Sequence, residues 1–585
     1  MTDKWKEGGS GLDSEQNIYY SEDQLVIALD FGTTFSGIAY AFPNDEKPDI
    51  IPINDWPGLE GNKHPKVPTI ISYDPKAVGG YTWGAQKHTG QSIQGIKLLL
   101  DPGQLLPSYV PTSNQKADLA RLGKPAVDVA ADYIRSMYQH AIEQIKSKIP
   151  VEYFEMCQKQ FVLSVPAVWS DRAKDLTQRA AKQAGIWPVS LIKEPEAAAM
   201  YTLHELKDRA LAVGDAFVIC DAGGGTVDLI SYEITQLSPK LELKELVPGS
   251  GCMAGSLYLN KRFEEAVANL VGVRQFDQLK HTRGFSSAVE QFSLSVKTAF
   301  RGDEDEDYLL NFPMAKLEDD EENNLISNCW NMKCDDLKSI FDPLMADIKN
   351  KVDEQVNTVR LKRTREHHPK ADEIKAIFLV GGFGSSAYLK SQLAEHHLNI
   401  QVIQPHDAWS AIVKGAVLSR LPRKAMVIST QATRHYGVLA NSIYDEDEDE
   451  GQPKLRDRYG MWRVSKMTWY IYRGDDLERS QKLLFSFYRT VDDLSDSSLI
   501  FATHLKQCES VVAPVYPNTS IKTNCILTVD LSGVDRTNFK QKVGIDGNQC
   551  WDIHYDLVVT IMPAVMKFSL EIKGKEMGSV EAKYD

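Results

Sequence analysis

The sequence predicts a mixed α/β protein built as two similar lobes and followed by a β-rich, sandwich-like unit. Three observations carry that expectation. First, two apolar runs of strand length each meet a glycine turn opening on Asp-x-Gly, and each turn leads into a second strand-like run; the two hairpins lie roughly 190 residues apart, too long a period for a solenoid and suited to a duplicated lobe. Second, segments with helical apolar spacing alternate with short buried runs up to about residue 421. Third, beyond Pro422 that periodicity fades and strand-like alternation replaces it.

The bulk properties are compatible with this plan. The chain has 585 residues, 43 % hydrophobic and 25 % charged, which excludes a disordered, collagen-like or coiled-coil protein. Its formal charge of −14 repels phosphodiester backbones, so no nucleic-acid partner is expected. Eight cysteines are too few for a disulfide scaffold, and Cys329 and Cys334 lack the second pair that a zinc site needs. Met1 to Asp23 carries no signal-peptide core and no apolar run is long enough to span a bilayer, so the expected location is cytoplasmic, with the nucleus as an alternative, and no membrane partner. Asn518-Thr519-Ser520 is then a chance sequon.

Element by element, residues 1–24 read as a flexible tail. Leu25 to Leu29 is a strand, Asp30 to Ser36 a turn, and Gly37 to Phe42 the returning strand. Val129, Tyr133, Ile134, Met137, Tyr138, Ala141, Ile142 and Ile145 give Val127 to Lys148 a helical stripe. Phe161 to Pro166 is a buried strand; Ser170 then caps a helix over Asp171 to Ala184, closed by Gly185. Val218 to Cys220, the turn Asp221 to Asp228, and Leu229 to Ile234 form the second hairpin. Asp335 to Arg360 is a long helix despite Pro343, Ala376 to Gly382 a strand meeting a glycine turn, and Ser386 to Glu395 and Asp407 to Leu421 are helices. Strands are expected at Thr468–Tyr472, Leu483–Tyr488, Ile526–Leu531 and Leu557–Ile561. The acidic runs at Asp303–Asp307, Glu318–Glu322 and Asp445–Glu450 read as solvated loops.

The two turns are where chemistry is expected. Glycine lets backbone approach a ligand closely, and successive N–H groups in such turns cradle anions. Asp30 and Asp221 would repel a bound phosphate directly. They make sense beside a hydrated Mg²⁺, which keeps several waters and uses few carboxylates. Thr33, Thr34 and Thr226 add hydroxyl donors.

These segments resemble the 70-kDa heat-shock chaperone family of actin-like ATPases. Leu29-Asp30-Phe31-Gly32-Thr33-Thr34-Phe35-Ser36 is similar to its first phosphate motif, and Asp221 to Asp228 to its second. Val165-Pro166-Ala167, Ala180 to Gly185 and Ile192-Lys193-Glu194-Pro195-Glu196-Ala197-Ala198-Ala199 resemble its connecting segment, and Phe378 to Ser386 its adenosine motif. The resemblance covers residues 25–422. It implies an actin-like, ribonuclease H-like duplicated fold with ATP or ADP and Mg²⁺ as cofactors. Asp30 and Asp221 would hold the metal, and Thr33 and Thr34 would contact phosphates. Glu194 and Asp228 would orient the attacking water, and Lys97 would touch phosphate. Gly32, Gly223, Gly224, Gly225 and Thr226 would form the phosphate loops; Gly381, Gly382 and Phe383 would meet the nucleoside.

The chain also departs from that family. The polar trio of its adenine-clasping helix is not evident over Gln291 to Arg301, Phe383-Gly384-Ser385 replaces Ser-Thr-Arg, and His406 replaces an aspartate. The acidic-leucine linker is absent, with Arg423 to Ile428 in its place, and no helical lid follows the β-rich part. This plan resembles the atypical, lidless 12-like branch. The expected division is an actin-like domain at 25–422, a linker at 423–434 and a β-rich substrate- or partner-binding domain at 435–585. The expected function is a weak Mg-dependent ATP hydrolase of chaperone type, with protein clients or one protein partner, and co-chaperones besides. A nucleotide-gated scaffold with little hydrolysis and a small-molecule kinase of the same fold are the alternatives.

Overall fold

Leu25 to Leu29 are fully buried, and a strand apolar on both faces must be covered on both. In the computed structural model, which describes residues 22–44, 48–89, 92–101, 119–206, 211–238, 240–421, 426–576 and 579–584, Gln24–Asp30 accordingly lies inside a sheet. It runs antiparallel to Phe35–Ala41 and parallel to Gln158–Val165, and Val189–Lys193 extends the sheet in parallel. The second hairpin repeats the arrangement: Ala216–Ala222 is antiparallel to Val227–Gln236 and parallel to Ala376–Val380. A hairpin flanked by a parallel strand is thus the common plan of both lobes.

The helices follow their sequence signals. Ala126–Lys146 buries Val129, Tyr133, Ile134, Met137, Ala141 and Ile145 of the expected stripe, while Tyr138 and Ile142 are half-buried at its margin. Ser170 Oγ accepts from the Ala173 N–H at the start of Asp171–Gln183, and Gly185 follows its end at φ +88°. Cys334–Arg365 passes through Pro343 without interruption. The last helix is shorter than expected, Ala411–Leu418, because residues 407–410 form turns. It lies with Glu194–Glu205 between the two sheets: Ala197, Ala198, Ala411 and Val413 share one core with Val26 and Ala28 of the first sheet and Phe217 and Ile219 of the second. These two helices join the lobes.

The β-rich part consists of two antiparallel sheets. One runs Lys454–Arg456, Trp462–Ile471, His435–Ile443, Ile500–Cys508, Lys522–Asp530, Ser579–Lys583; the other centres on Lys482–Val491, Gln549–Ile561 and Met566–Ile572. Val438, Leu505 and Leu527 of the first pack against Ile553, Leu557 and Leu570 of the second in a single core, a sandwich.

Two expectations need correction. The stretch read as a linker, 423–434, is not a free connection. Met426–Gln431 is a strand that pairs in parallel with Glu242–Cys252, and Asp476–Glu478, from within the expected β-rich unit, pairs with it in turn. Residues 422–425 lie outside the described residues, as do 1–21 of the expected tail, Met577 and Gly578 of the last hairpin, and Asp585. Nor is the run Asp445–Glu450 wholly solvated: Asp449 is fully buried, where Lys466 Nζ (2.7 Å) and Tyr516 OH (2.6 Å) satisfy its carboxylate. Among the described residues no helix is long and apolar enough to cross a membrane, and all eight cysteines are free.

Candidate functional site: a phosphate-type cleft between the lobes

The two Asp-x-Gly turns face each other across a cavity of about 390 Å³. They abut so closely that a Cβ on Gly224 would stand 2.2 Å from Thr34 Oγ1, so only glycine lets the turns meet. Behind them, Gly381 adopts φ +88°, and a Cβ there would stand 2.4 Å from Asp221 Oδ1. Asp30, Gly32, Thr33, Thr34, Lys97, Glu194, Asp221, Gly223, Gly224, Gly225, Thr226, Gly381, Gly382 and Phe383 all line the cavity. Asp228 stands just behind the wall, in register with Asp221 across the second hairpin. Thr226 Oγ1 donates to its Oδ2 at 2.8 Å, while its Oδ1 is buried without a partner. The sheet registers explain the convergence: each aspartate ends a buried strand whose turn projects from the sheet edge.

The charges are tightly arranged. Glu194, at the first position of its helix, forms a buried ion pair with Lys97, whose ammonium also stands 5.5 Å from the Trp169 ring centroid. Burial pushes the Glu194 carboxyl up, to about 7, with Lys97 opposing and Asp30 and Asp228 reinforcing the rise. Burial also works against the Lys97 charge, but Glu194 and Asp30 outweigh it and hold that ammonium above its usual range. Asp221 is driven well above the carboxylate range by burial and by Glu194, Asp228 and Asp30. Asp228 is raised by burial, against the Thr226 hydroxyl and Lys97. An uncompensated Asp221 and an orphaned Asp228 oxygen form a donor set that fits a cation, so an Mg²⁺ with its waters is chemically at home here.

Asp30 differs from the expectation of a carboxylate free for metal. Its Oδ2 accepts from Lys66 Nζ at 2.6 Å and its Oδ1 from Ser164 Oγ at 2.7 Å. Burial opposes its charge, but Lys66 and Lys97 hold it below the usual range. Lys66 carries no motif signal in the sequence; its neighbour Val67 pairs with Ser36 and so brings it beside the first turn.

The nucleoside-side expectations also change. Phe383 reaches the cavity wall, but it is only 4 % exposed and belongs to the core of the second lobe rather than offering a free face. Half-buried aromatics of the lining are Trp409 and Phe35, with their rings 5.5 Å apart and Trp409 Nε1 near Gly382. The Gln291–Arg301 stretch does supply polar groups: Ser293, Lys297 and Thr298 line the cavity. A π-turn over Phe292–Val296 alters the helical register there, which the linear pattern did not reveal. His406 is exposed and does not line the cavity.

Lys297 Nζ donates to Asn260 Oδ1 (3.1 Å) and Ser293 Oγ (3.2 Å), and burial alone lowers it to about 8. A lowered lysine is charged below that pH and neutral above it. Anion affinity in the cleft is therefore expected to fall as pH rises from about 7 to about 9, by roughly three- to tenfold. Lys297→Met should remove the upper part of this fall and leave the share that Glu194 adds as its carboxyl ionises near 7; calorimetric titration of ADP across the range checks it, and an unchanged slope in the variant would refute it.

Two hairpin-based lobes joined by central helices, closing on a cleft of glycine turns and buried carboxylates, define the class of the actin-like ATPase fold. Comparison with known proteins agrees. Residues 117–244 match the family model described as Hsp70 protein, and residues 213–369 match a model described as a domain of unknown function (DUF8340). The chain is 26 % identical over 515 residues to human heat shock 70 kDa protein 12B, covering 71 % of each chain. It is 24 % identical over 623 residues to human heat shock 70 kDa protein 12A, covering 90 % of this chain and 88 % of that protein. Rat heat shock 70 kDa protein 13 is 27 % identical over 221 residues, 35 % of this chain and 43 % of that protein. The chain is thus similar to proteins of the Hsp70 family, and the resemblance read from its motifs is borne out.

Proposed function

We propose that the chain is an ATP-binding, slowly ATP-hydrolysing chaperone-like protein of the cytoplasm, whose lobe closure around nucleotide acts on the β-sandwich. The observation that carries this reading is the pair of glycine turns abutting across a cleft lined by Lys97, Glu194 and Asp221, with Asp228 just behind its wall. Phosphoryl transfer needs positioning and charge stabilisation more than covalent chemistry. The backbone N–H groups of both turns, with Thr33 and Thr34, bind the phosphate oxygens. Lys97 offsets charge on the phosphates, and Trp409 supplies an aromatic face for the base.

Asp221 and Asp228 would hold Mg²⁺, which when bound neutralises phosphate charge. In hydrolysis an O–P bond forms between water and the terminal phosphorus while the bond to the ADP oxygen breaks. Glu194 orients that water and accepts its hydrogen bond. Glu194→Ala is expected to lower turnover by about 10²-fold with ATP affinity changed only a few-fold. Turnover assays beside calorimetry test this; background turnover by the wild type, or no effect of Glu194→Ala, would refute hydrolysis.

A second reading is a nucleotide-gated scaffold that binds ATP and docks one protein partner with little hydrolysis. The Lys97–Glu194 ion pair favours it, because it engages the carboxylate that would otherwise order the water. Saturable binding without turnover would select this version.

A further inference from the structure

We propose that Lys66 is a second phosphate-directed cation built into the cleft, and that it makes binding of a nucleoside di- or triphosphate largely independent of divalent metal. This inference rests on the nucleotide reading above.

Lys66 is placed by the fold rather than by chance. Val67 and Pro68 pair with Ser36 and Phe35 of the first hairpin, which sets Lys66 beside the Asp30 turn. Its stem lies against the hairpin backbone, where a Cβ on Gly37 would come within 3.1 Å of Lys66 Cγ. The residue is only 5 % exposed, yet it lines the cavity. Burying a lysine is costly unless its charge is used. One use is visible, the 2.6 Å bond to Asp30 Oδ2. An ammonium has three donors, so that bond leaves further donors for phosphate oxygens.

The charge pattern points the same way. Four carboxylates, Asp30, Glu194, Asp221 and Asp228, gather around the cleft; Lys66 and Lys97 act on them, and Lys297 lines the cavity with its ammonium on Asn260 and Ser293. Lys97 is engaged by Glu194. Without Lys66, Asp30 would keep only the Ser164 hydroxyl and the more distant charge of Lys97, itself paired with Glu194, against an incoming polyphosphate. With Lys66 that charge is already matched, and Ser164 fills the other Asp30 oxygen. In a site this dry, a fixed ammonium next to phosphate acts at far greater strength than in water. Metal is then an addition at Asp221 and Asp228, not a condition for binding.

The test is calorimetric titration of ADP and ATP into the full chain, once in excess Mg²⁺ and once in EDTA. Wild-type affinities in the two buffers should differ by less than about tenfold. Lys66→Ala should lose at least about 30-fold in EDTA and only a few-fold in Mg²⁺, so that a metal requirement appears. Lys66→Arg keeps the charge and should keep binding in EDTA, and thermal melting of each variant reports folding. If Lys66→Ala does not fold, the wild-type ratio and Lys66→Arg still decide. Wild-type binding confined to Mg²⁺, or equal losses by Lys66→Ala in both buffers, overturns the inference and leaves the nucleotide reading standing. No wild-type binding in either buffer overturns both.

Discussion

Lys97→Ala is expected to weaken ATP binding by about 10- to 100-fold and to lower any turnover by at least about 10²-fold. The reason is local electrostatics. The Lys97 ammonium is only 4 % exposed and is the ion-pair partner of Glu194, which Asp30 and Asp228 also crowd. Removing it leaves a buried carboxylate without its counter-charge. Glu194 then takes up a proton more readily, because burial and like charges already push it upward. A protonated Glu194 no longer orders water as a carboxylate, and the phosphates lose a donor. Lys97→Arg should restore part of the affinity but little turnover, since a planar guanidinium does not reproduce a compact ammonium. Calorimetry and phosphate release measure the two effects separately. Wild-type affinity in Lys97→Ala would contradict this account.

Arg479→Ala is expected to destabilise the whole chain by about 3 kcal/mol, because it breaks a buried ion pair. Glu196 is only 2 % exposed at its side chain, two residues after Glu194, and Arg479 from the β-rich part reaches it with Nη2. Arg479 is itself held in place, with its N–H donating to the Ile428 carbonyl beside the strand Met426–Gln431. Nearby, Lys193 Nζ bonds Glu245 Oε2 (2.9 Å) and Thr430 Oγ1 (2.6 Å), both buried. The helix that begins at Glu194 is therefore tied at its first turn to the segment leading into the sandwich. A melting temperature several degrees lower should result, and Arg479→Ala with Glu196→Gln should lose less than Arg479→Ala alone, since no unpaired buried charge remains. Equal melting of Arg479→Ala and wild type would show that the pair contributes nothing. Arg479 is also one contact through which sandwich and site would sense each other, beside Tyr436 on Asp171 and Asp476 on Lys244, so the same variant should alter ATP affinity if lobe closure and sandwich are linked.

Much of the site was legible before the structure because its parts are local. An apolar run ending in Asp-x-Gly specifies strand, turn and strand within a dozen or so residues, and the structure places both turns on one cleft. The Ser170 cap was similarly legible, since a cap hydroxyl acts on an N–H three residues away, whereas Ser386, read as the first residue of a helix, is in fact its cap. Phe383 was assigned to the nucleoside from its place in a motif, but whether a ring offers its face or enters a core depends on packing. Trp409 was missed because its ring meets the cleft only through packing, and Lys297, although inside the stretch matched to the adenine-clasping helix, was missed because a π-turn shifts the face it presents.

What the sequence by itself determined is the set of short-range elements: two duplicated hairpins, the capped helices, the alternating strands of the sandwich, and glycines and carboxylates of a phosphate-type site. Backbone sterics and side-chain periodicity act over a few residues, so those elements can be read along the chain. Only the tertiary structure decided the partners. It turned Met426–Gln431 from an expected linker into a parallel strand beside Glu242–Cys252, placed Arg479 on Glu196, and set Lys66 on Asp30. A parallel neighbour and a buried counter-charge are chosen by which segments the crossovers bring together, and chain distance carries no record of that choice.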